Sequence, residues 1–254
     1  MSIIVTRYLI ILRMQPAHFL RLSQSVRTFV EEVETSSGLS IEVVADTELN
    51  TGGPVGRGKL KVNIEARRVR LHVPTNGYFP DGGVRHEILH VNRLLVEGVP
   101  RLALAELVDW APEFERDLVR VDNALEHLVI VPIELQHHPE RRAHWDAVME
   151  KVWTVDIAVT PSELNRRIGA CLHWTFLRHV LQESETVDAA ITLLNLHNLR
   201  AEADSFYDKV VPKLDDKLSV VKIFFDWFPE VTRNRAAIEY LNISTGSILS
   251  PIPS

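Results

Sequence analysis

The chain has 254 residues, 46% of them hydrophobic and 24% charged, and a formal net charge of −6. That length holds one large domain or two small ones with a proper core, and the acidic balance argues against a general nucleic-acid binder, which needs a basic surface to displace counterions. One cysteine, Cys171, excludes an internal disulfide and fits a reducing compartment.

The apolar run at residues 3–12 is too short to span a bilayer, carries Arg7 and lacks a small-residue cleavage site. It reads as a buried strand or the lead-in to the first helix, and the expected location is the cytoplasm, with no membrane partner. Residues 16–36 read as a helix with Phe19, Leu20, Leu22, Val26, Phe29 and Val30 on one face, ended by Ser37-Gly38. Three strand-like runs follow, at 41–45, at 59–64 after the glycine-rich turn 51–58, and at 69–73. The alternation Leu60, Val62, Ile64 and Val69, Leu71, Val73 predicts half-buried antiparallel strands. A loop over 74–83 leads into a helix at 83–97 whose apolar stripe is Val84, Ile88, Val91 and Leu95. A second helix spans 112–131 with the stripe Leu118, Val121, Leu125 and Val129, and Pro132 marks its stop or a kink. Helices are then expected at 139–153, 161–182, 187–211, 214–228 and 231–241, and the Ser/Pro-rich tail 244–254 is expected to be loose.

The chemistry of this chain concentrates in His86-Glu87-Ile88-Leu89-His90. Two histidines four apart lie on one helical face, here the face opposite the apolar stripe, and can grip one Zn²⁺. The glutamate between them is placed to act as general base on a zinc-bound water. A catalytic zinc needs a third protein ligand. The second helix is the expected donor: Glu115, Asp122 and Glu126 lie along one margin of its apolar stripe, and Asn123 and His127 lie further round. Glu126 ranks first, Asp122 second and His127 third, with Asp122 and Glu126 able to divide ligation and orientation between them.

The order helix, three strands, H-E-x-x-H helix and acidic helix closed by proline resembles the gluzincin core, and within it the IrrE/ImmA-type peptidases. Asp122-Asn123-Ala124-Leu125 with Pro132 looks like a degenerate copy of that family's ligand helix. The resemblance covers about residues 15–135 and implies a zinc peptidase of narrow specificity acting on a protein or peptide, such as a regulatory protein.

The expected fold class is therefore mainly helical α+β, with a small antiparallel sheet packed on the metal-binding helices. A zincin-like core would occupy residues 1–155 and a helical region 156–254. The expected activity is zinc-dependent hydrolysis of a peptide bond in a specific protein substrate. The alternative is a non-catalytic interaction protein of the same fold acting through its helical C-terminal region. Among other residues, Tyr78 is a candidate oxyanion donor or a packed loop aromatic, and the strand 69–73 is a candidate edge for pairing with an extended substrate or an ordinary core strand. His137-His138 reads as a solvated loop, and Arg141-Arg142 as a surface pair at a helix start. His144, His173, His179 and His197 read as surface or satisfied buried histidines, one of which can reach the site as an oxyanion donor. Trp145, Trp153, Trp174, Trp227 and Cys171 read as packing.

Overall fold

The computed structural model describes residues 14–51, 58–105 and 112–253; the apolar run at 3–12 and most of the turn at 51–58 lie outside them. The molecule is mainly helical α+β, as the periodicity predicts. In place of one helix over 16–36 there are two, α1 (Pro16–Phe19) and α2 (Gln24–Ser37). The chain breaks between them because Leu22 turns into the core and the Ser23 N–H leaves the helical ladder for the Asp81 carboxylate, 3.1 Å away. Gly38 ends α2 in the left-handed conformation, φ +69°, which glycine adopts without a Cβ clash.

β1 (Ile41–Asp46), β2 (Lys61–Glu65) and β3 (Arg68–Pro74) form a sheet in the order β1-β3-β2. β2 and β3 make the expected antiparallel pair, with Val62 opposite Leu71. β1 instead runs parallel to β3, with Val43 opposite Leu71, on the side of β3 that the β2–β3 hairpin leaves open. β3 is thus the central strand, which is the core-strand alternative and not a substrate-binding edge. Val26, Val30 and Val33 of α2 and Val84, Ile88 and Val91 of α3 (Asp81–Val91) bury themselves against Ile41, Val69 and Leu71. Each such side chain contributes about 1.5–3 kcal/mol of burial. A π-helical turn, Asn92–Val96, continues α3.

β4 (Arg101–Leu104) precedes α4 (Pro112–His137), which runs through Pro132 rather than stopping there. Pro132 cannot donate to the carbonyl of Leu128, four residues earlier. The His179 imidazole of α7 meets that carbonyl; burial lowers the His179 pKa, and the carbonyl raises it by less.

After a 3-10 turn at Pro139–Arg141 come α5 (Arg142–Lys151), a second π-helical turn (Val152–Asp156), α6 (Ile157–Val159), α7 (Glu163–Val180), α8 (Thr186–Leu196), α9 (Arg200–Val210) and α10 (Lys217–Trp227). The single helix expected over 187–211 is two, broken where Asn198 takes φ +55°. The expected helix at 231–241 is instead β5 (Ala236–Asn242), and the tail expected to be loose holds β6 (Gly246–Pro251). β5 pairs antiparallel with both β4 and β6, a partnership that overrides the helix-compatible run Ala-Ala-Ile-Glu-Tyr-Leu. This second sheet joins residues from both sides of Asp156, and Leu102, Ile238 and Ile252 share one core with α4, α5 and α7–α10. Among the described residues no helix is long and apolar enough to cross a membrane.

Candidate metal centre

α3 belongs to the first core and α4 to the second, and the histidines meet at the seam between them. With Val84, Ile88 and Val91 pinned to the sheet, His86 and His90 face away from it, one turn apart. His127 on α4 completes the group. The ring centroids of His86 lie 5.0 Å from those of both His90 and His127, and His90 and His127 are 5.6 Å apart. One ring nitrogen from each histidine lies within 4.8 Å of the other two, so the three can hold a metal ion.

The donor set fits such an ion. His127 Nε2 is buried and has no hydrogen-bond partner in the protein. An unsatisfied buried nitrogen costs about 1–3 kcal/mol, and a metal would relieve that cost. Burial holds the His90 ring near a pKa of about 3 and the His127 ring well below the ordinary value, with the neighbouring His86 adding to both. Both rings are therefore unprotonated at neutral pH, the form that ligates.

The support around His86 is a carboxylate that the sequence reading did not single out. Glu134, fully buried, accepts a hydrogen bond from His86 Nδ1 at 2.9 Å, from Trp145 Nε1 at 3.0 Å and from Arg141 Nε at 2.6 Å. Burial pushes the Glu134 carboxyl up, but the bonds from His86 and Arg141 outweigh it and hold it at about 2. A carboxylate on Nδ1 directs His86 Nε2 towards the cluster and fixes the tautomer. Arg141, expected at the surface, is largely buried in this contact. It crosses the start of α3 at Gly82, where a Cβ would lie 2.7 Å from its Cγ. The signal in the sequence was the seven-residue step from His127 to Glu134, two turns on one face of α4. Ending that helix at Pro132 hid it.

Glu87 is partly buried beside the cluster. Burial raises its pKa against the opposing effects of His86 and of the Val62 N–H, which donates to Glu87 Oε2 at 2.8 Å. Glu126, ranked first as third ligand, is placed elsewhere: it accepts from Arg93 Nε at 2.5 Å and from Lys217 Nζ at 2.7 Å. Asp122 pairs with the same ammonium at 2.8 Å and accepts from the Leu102 N–H at 3.2 Å. Asp122 thus faces α10 and β4 and Glu126 faces α10 and the turn after α3, and it is His127, ranked third, that lies grouped with His86 and His90.

Trp145 does more than fill the core. Its ring lies 5.4 Å from His86 and 5.0 Å from His127. With His127 and His173 it also lines a cavity of about 860 Å³ between α4, α5, the Val152–Asp156 turn and α7. His144 also packs edge-on against Trp145, at 5.4 Å. His138 is buried with Nδ1 bonded to Glu140, which corrects the solvated-loop reading, whereas His137 is exposed as expected. Tyr78 sits in a turn closed by Asn76 in the loop before α3. Burial pushes the Cys171 thiol up, in keeping with a packing role. No family model, curated protein or solved structure matches this chain.

Proposed function

We propose that this chain is a zinc-dependent hydrolase that cleaves a peptide bond. The observation that carries the reading is the buried, unpartnered Nε2 of His127 within the group that His127 forms with His86 and His90. An all-imidazole set suits zinc among other transition metals, and the H-E-x-x-H spacing selects zinc from that group. His86, His90 and His127 would hold the ion and leave a position open for water or substrate. When bound, zinc supplies Lewis acidity, which polarises a scissile carbonyl and acidifies water. Glu87 takes the proton of the attacking water on its carboxylate and returns it to the leaving amine, and its raised pKa suits both transfers. Glu134 keeps the His86 ring oriented, and Arg141 and Trp145 keep Glu134 in place. The likeness to gluzincins is then carried by the α3 motif, with a histidine where that resemblance implies an acidic ligand.

Elemental analysis of the purified protein tests the metal. About one zinc per chain is expected, retained in Glu87→Gln and lost in His127→Ala. Glu87→Gln should abolish hydrolysis of a fluorogenic peptide library. Absence of zinc from wild type after reconstitution would overturn the reading. A zinc-loaded protein whose cellular effect survives Glu87→Gln would instead favour the non-catalytic alternative.

A further inference from the structure

We infer that this chain forms a two-fold dimer through the free edge of its second sheet, with β6 of one copy antiparallel to β6 of another and Ile248 at the axis. The inference is independent of the metal centre and assigns a surface that the proposed reaction does not use.

The second sheet has the order β4-β5-β6 and hence two edges. The β4 edge is covered: the Leu102 N–H donates to Asp122 of α4 at 3.2 Å, and Arg101 reaches the Ile64 carbonyl of β2 at 3.1 Å. Among the described residues no strand pairs with the outer edge of β6. The register tells which of its backbone groups are free. Residues opposite each other on antiparallel strands either exchange both hydrogen bonds or point them outward, in alternation. Leu102, opposite Ile238, points outward to α4, so Ile238 points towards β6 and meets Ser250 there. Ile248, two residues before Ser250, likewise turns to β5. Ser247 and Leu249 therefore direct their N–H and C=O groups away from the sheet.

Charge decides what fits that edge. Proteins commonly protect an open edge with charged side chains. In this chain 24% of residues are charged, yet residues 241–254 include no Asp, Glu, Lys, Arg or His. Ile248 and Leu249, on opposite faces of the strand, are each 48% exposed. Glu239, opposite Leu249 on β5, is held within its own copy by Arg101 at 2.6 Å and by the Ser247 hydroxyl. A two-fold axis brings a strand's residues onto themselves, and like charges directly opposite are destabilising, so an uncharged strand suits its own copy. With Ile248 on the axis, Ser247 and Leu249 of one copy lie opposite Leu249 and Ser247 of the other, and all their outward groups are paired. The two Ile248 side chains meet in a non-hydrogen-bonded pair, where cross-strand side chains come closest. Pro251, which lacks an N–H, falls beyond these pairs. Because the β4 edge is covered, each copy offers one edge and the assembly closes at two.

Sedimentation equilibrium of the full chain over a dilution series tests this. One short strand makes a small, reversible contact, so wild type should approach twice the mass of one chain as its concentration rises to about 1 mM. Ile248→Lys, Ile248→Glu and Leu249→Pro should each stay monomeric. The first two place like charges across the axis, and the third removes an outward N–H while leaving the bonds to β5 intact. Mixing Ile248→Lys with Ile248→Glu should restore the dimer, because opposite charges rescue a position that meets its own copy. Circular dichroism checks that each variant is folded. Wild type still monomeric at about 1 mM would overturn the inference, as would a dimer that survives in all three folded variants. A mixture that stays monomeric would overturn the placement of Ile248 on the axis.

Discussion

Glu126 and His127 are neighbours in sequence and about 100° apart around α4, and that rotation decides their roles. Glu126 faces Arg93 and Lys217, whereas His127 faces the α3 histidines. Burial raises the Glu126 carboxyl, but Lys217 and Arg93 outweigh it and hold the group at about 2, an anion committed to two cations. In the proposed centre Glu134 is a positioning residue, through its bond from His86. Glu134→Ala should lower zinc affinity about 10–100-fold, measured by competition with a chelator, because His86 loses the partner that fixes its tautomer. Glu134→Gln keeps an acceptor oxygen and should recover part of the loss. Equal affinity in wild type and Glu134→Ala would show that His86 needs no such support.

Among the elements, α7 and α9 are joined by the Asp204 carboxylate as well as by the Arg167–Glu202 pair. Asp204 accepts from Trp174 Nε1 at 2.7 Å, Arg178 Nη1 at 2.9 Å and Arg200 Nε at 2.7 Å, and the Arg200 guanidinium lies 4.3 Å from the Trp174 ring centre. Burial pushes the Asp204 carboxyl up, but the bonds from Arg200 and Trp174 outweigh it and hold it below its ordinary 3.8. A depressed carboxylate pKa stabilises the fold fully above 3.8, and the contribution is lost as the pH falls below that value. Asp204 is about one-third exposed, so solvent screens the cluster, and Asp204→Asn should cost about 1 kcal/mol in urea unfolding at pH ~7. The difference between wild type and variant should shrink as unfolding is repeated below pH 3.8. A difference independent of pH would mean that the carboxylate charge is not what joins these helices.

At the scale of the molecule, the two cores are tied by the second sheet and by one buried ammonium. Lys217 of α10 reaches Asp122 and Glu126 of α4, and Glu126 in turn binds Arg93 in the turn that continues α3. Burial works against the Lys217 charge, but the two carboxylates outweigh it and raise its pKa. Lys217→Met removes the shared cation and leaves Asp122 buried opposite Glu126, at an expected cost of about 3–5 kcal/mol in urea unfolding. The triple variant Asp122→Asn, Glu126→Gln, Lys217→Met should recover much of that stability, because no uncompensated charge remains. A single variant as stable as wild type would remove the ammonium from the list of contacts that join α10 to α4.

The sequence by itself determined what depends on local periodicity and on residue chemistry. The four-residue step from His86 to His90, the stripe Val84, Ile88, Val91 that turns them away from the sheet, the β2–β3 hairpin and the helical character of most of the second half all follow from spacing within one element. Tertiary structure decided what depends on a partner far along the chain. β5 is a strand because β4, more than a hundred residues earlier, offers it an edge. α4 passes Pro132, packed along α7, and only because it does so does Glu134 lie where it accepts from His86. His127 rather than Glu126 joins the histidines because α4 is turned so that its Glu126 face meets Lys217 and Arg93. In each case the local sequence allowed more than one outcome, and the choice fell to a contact supplied by another element, which periodicity does not encode.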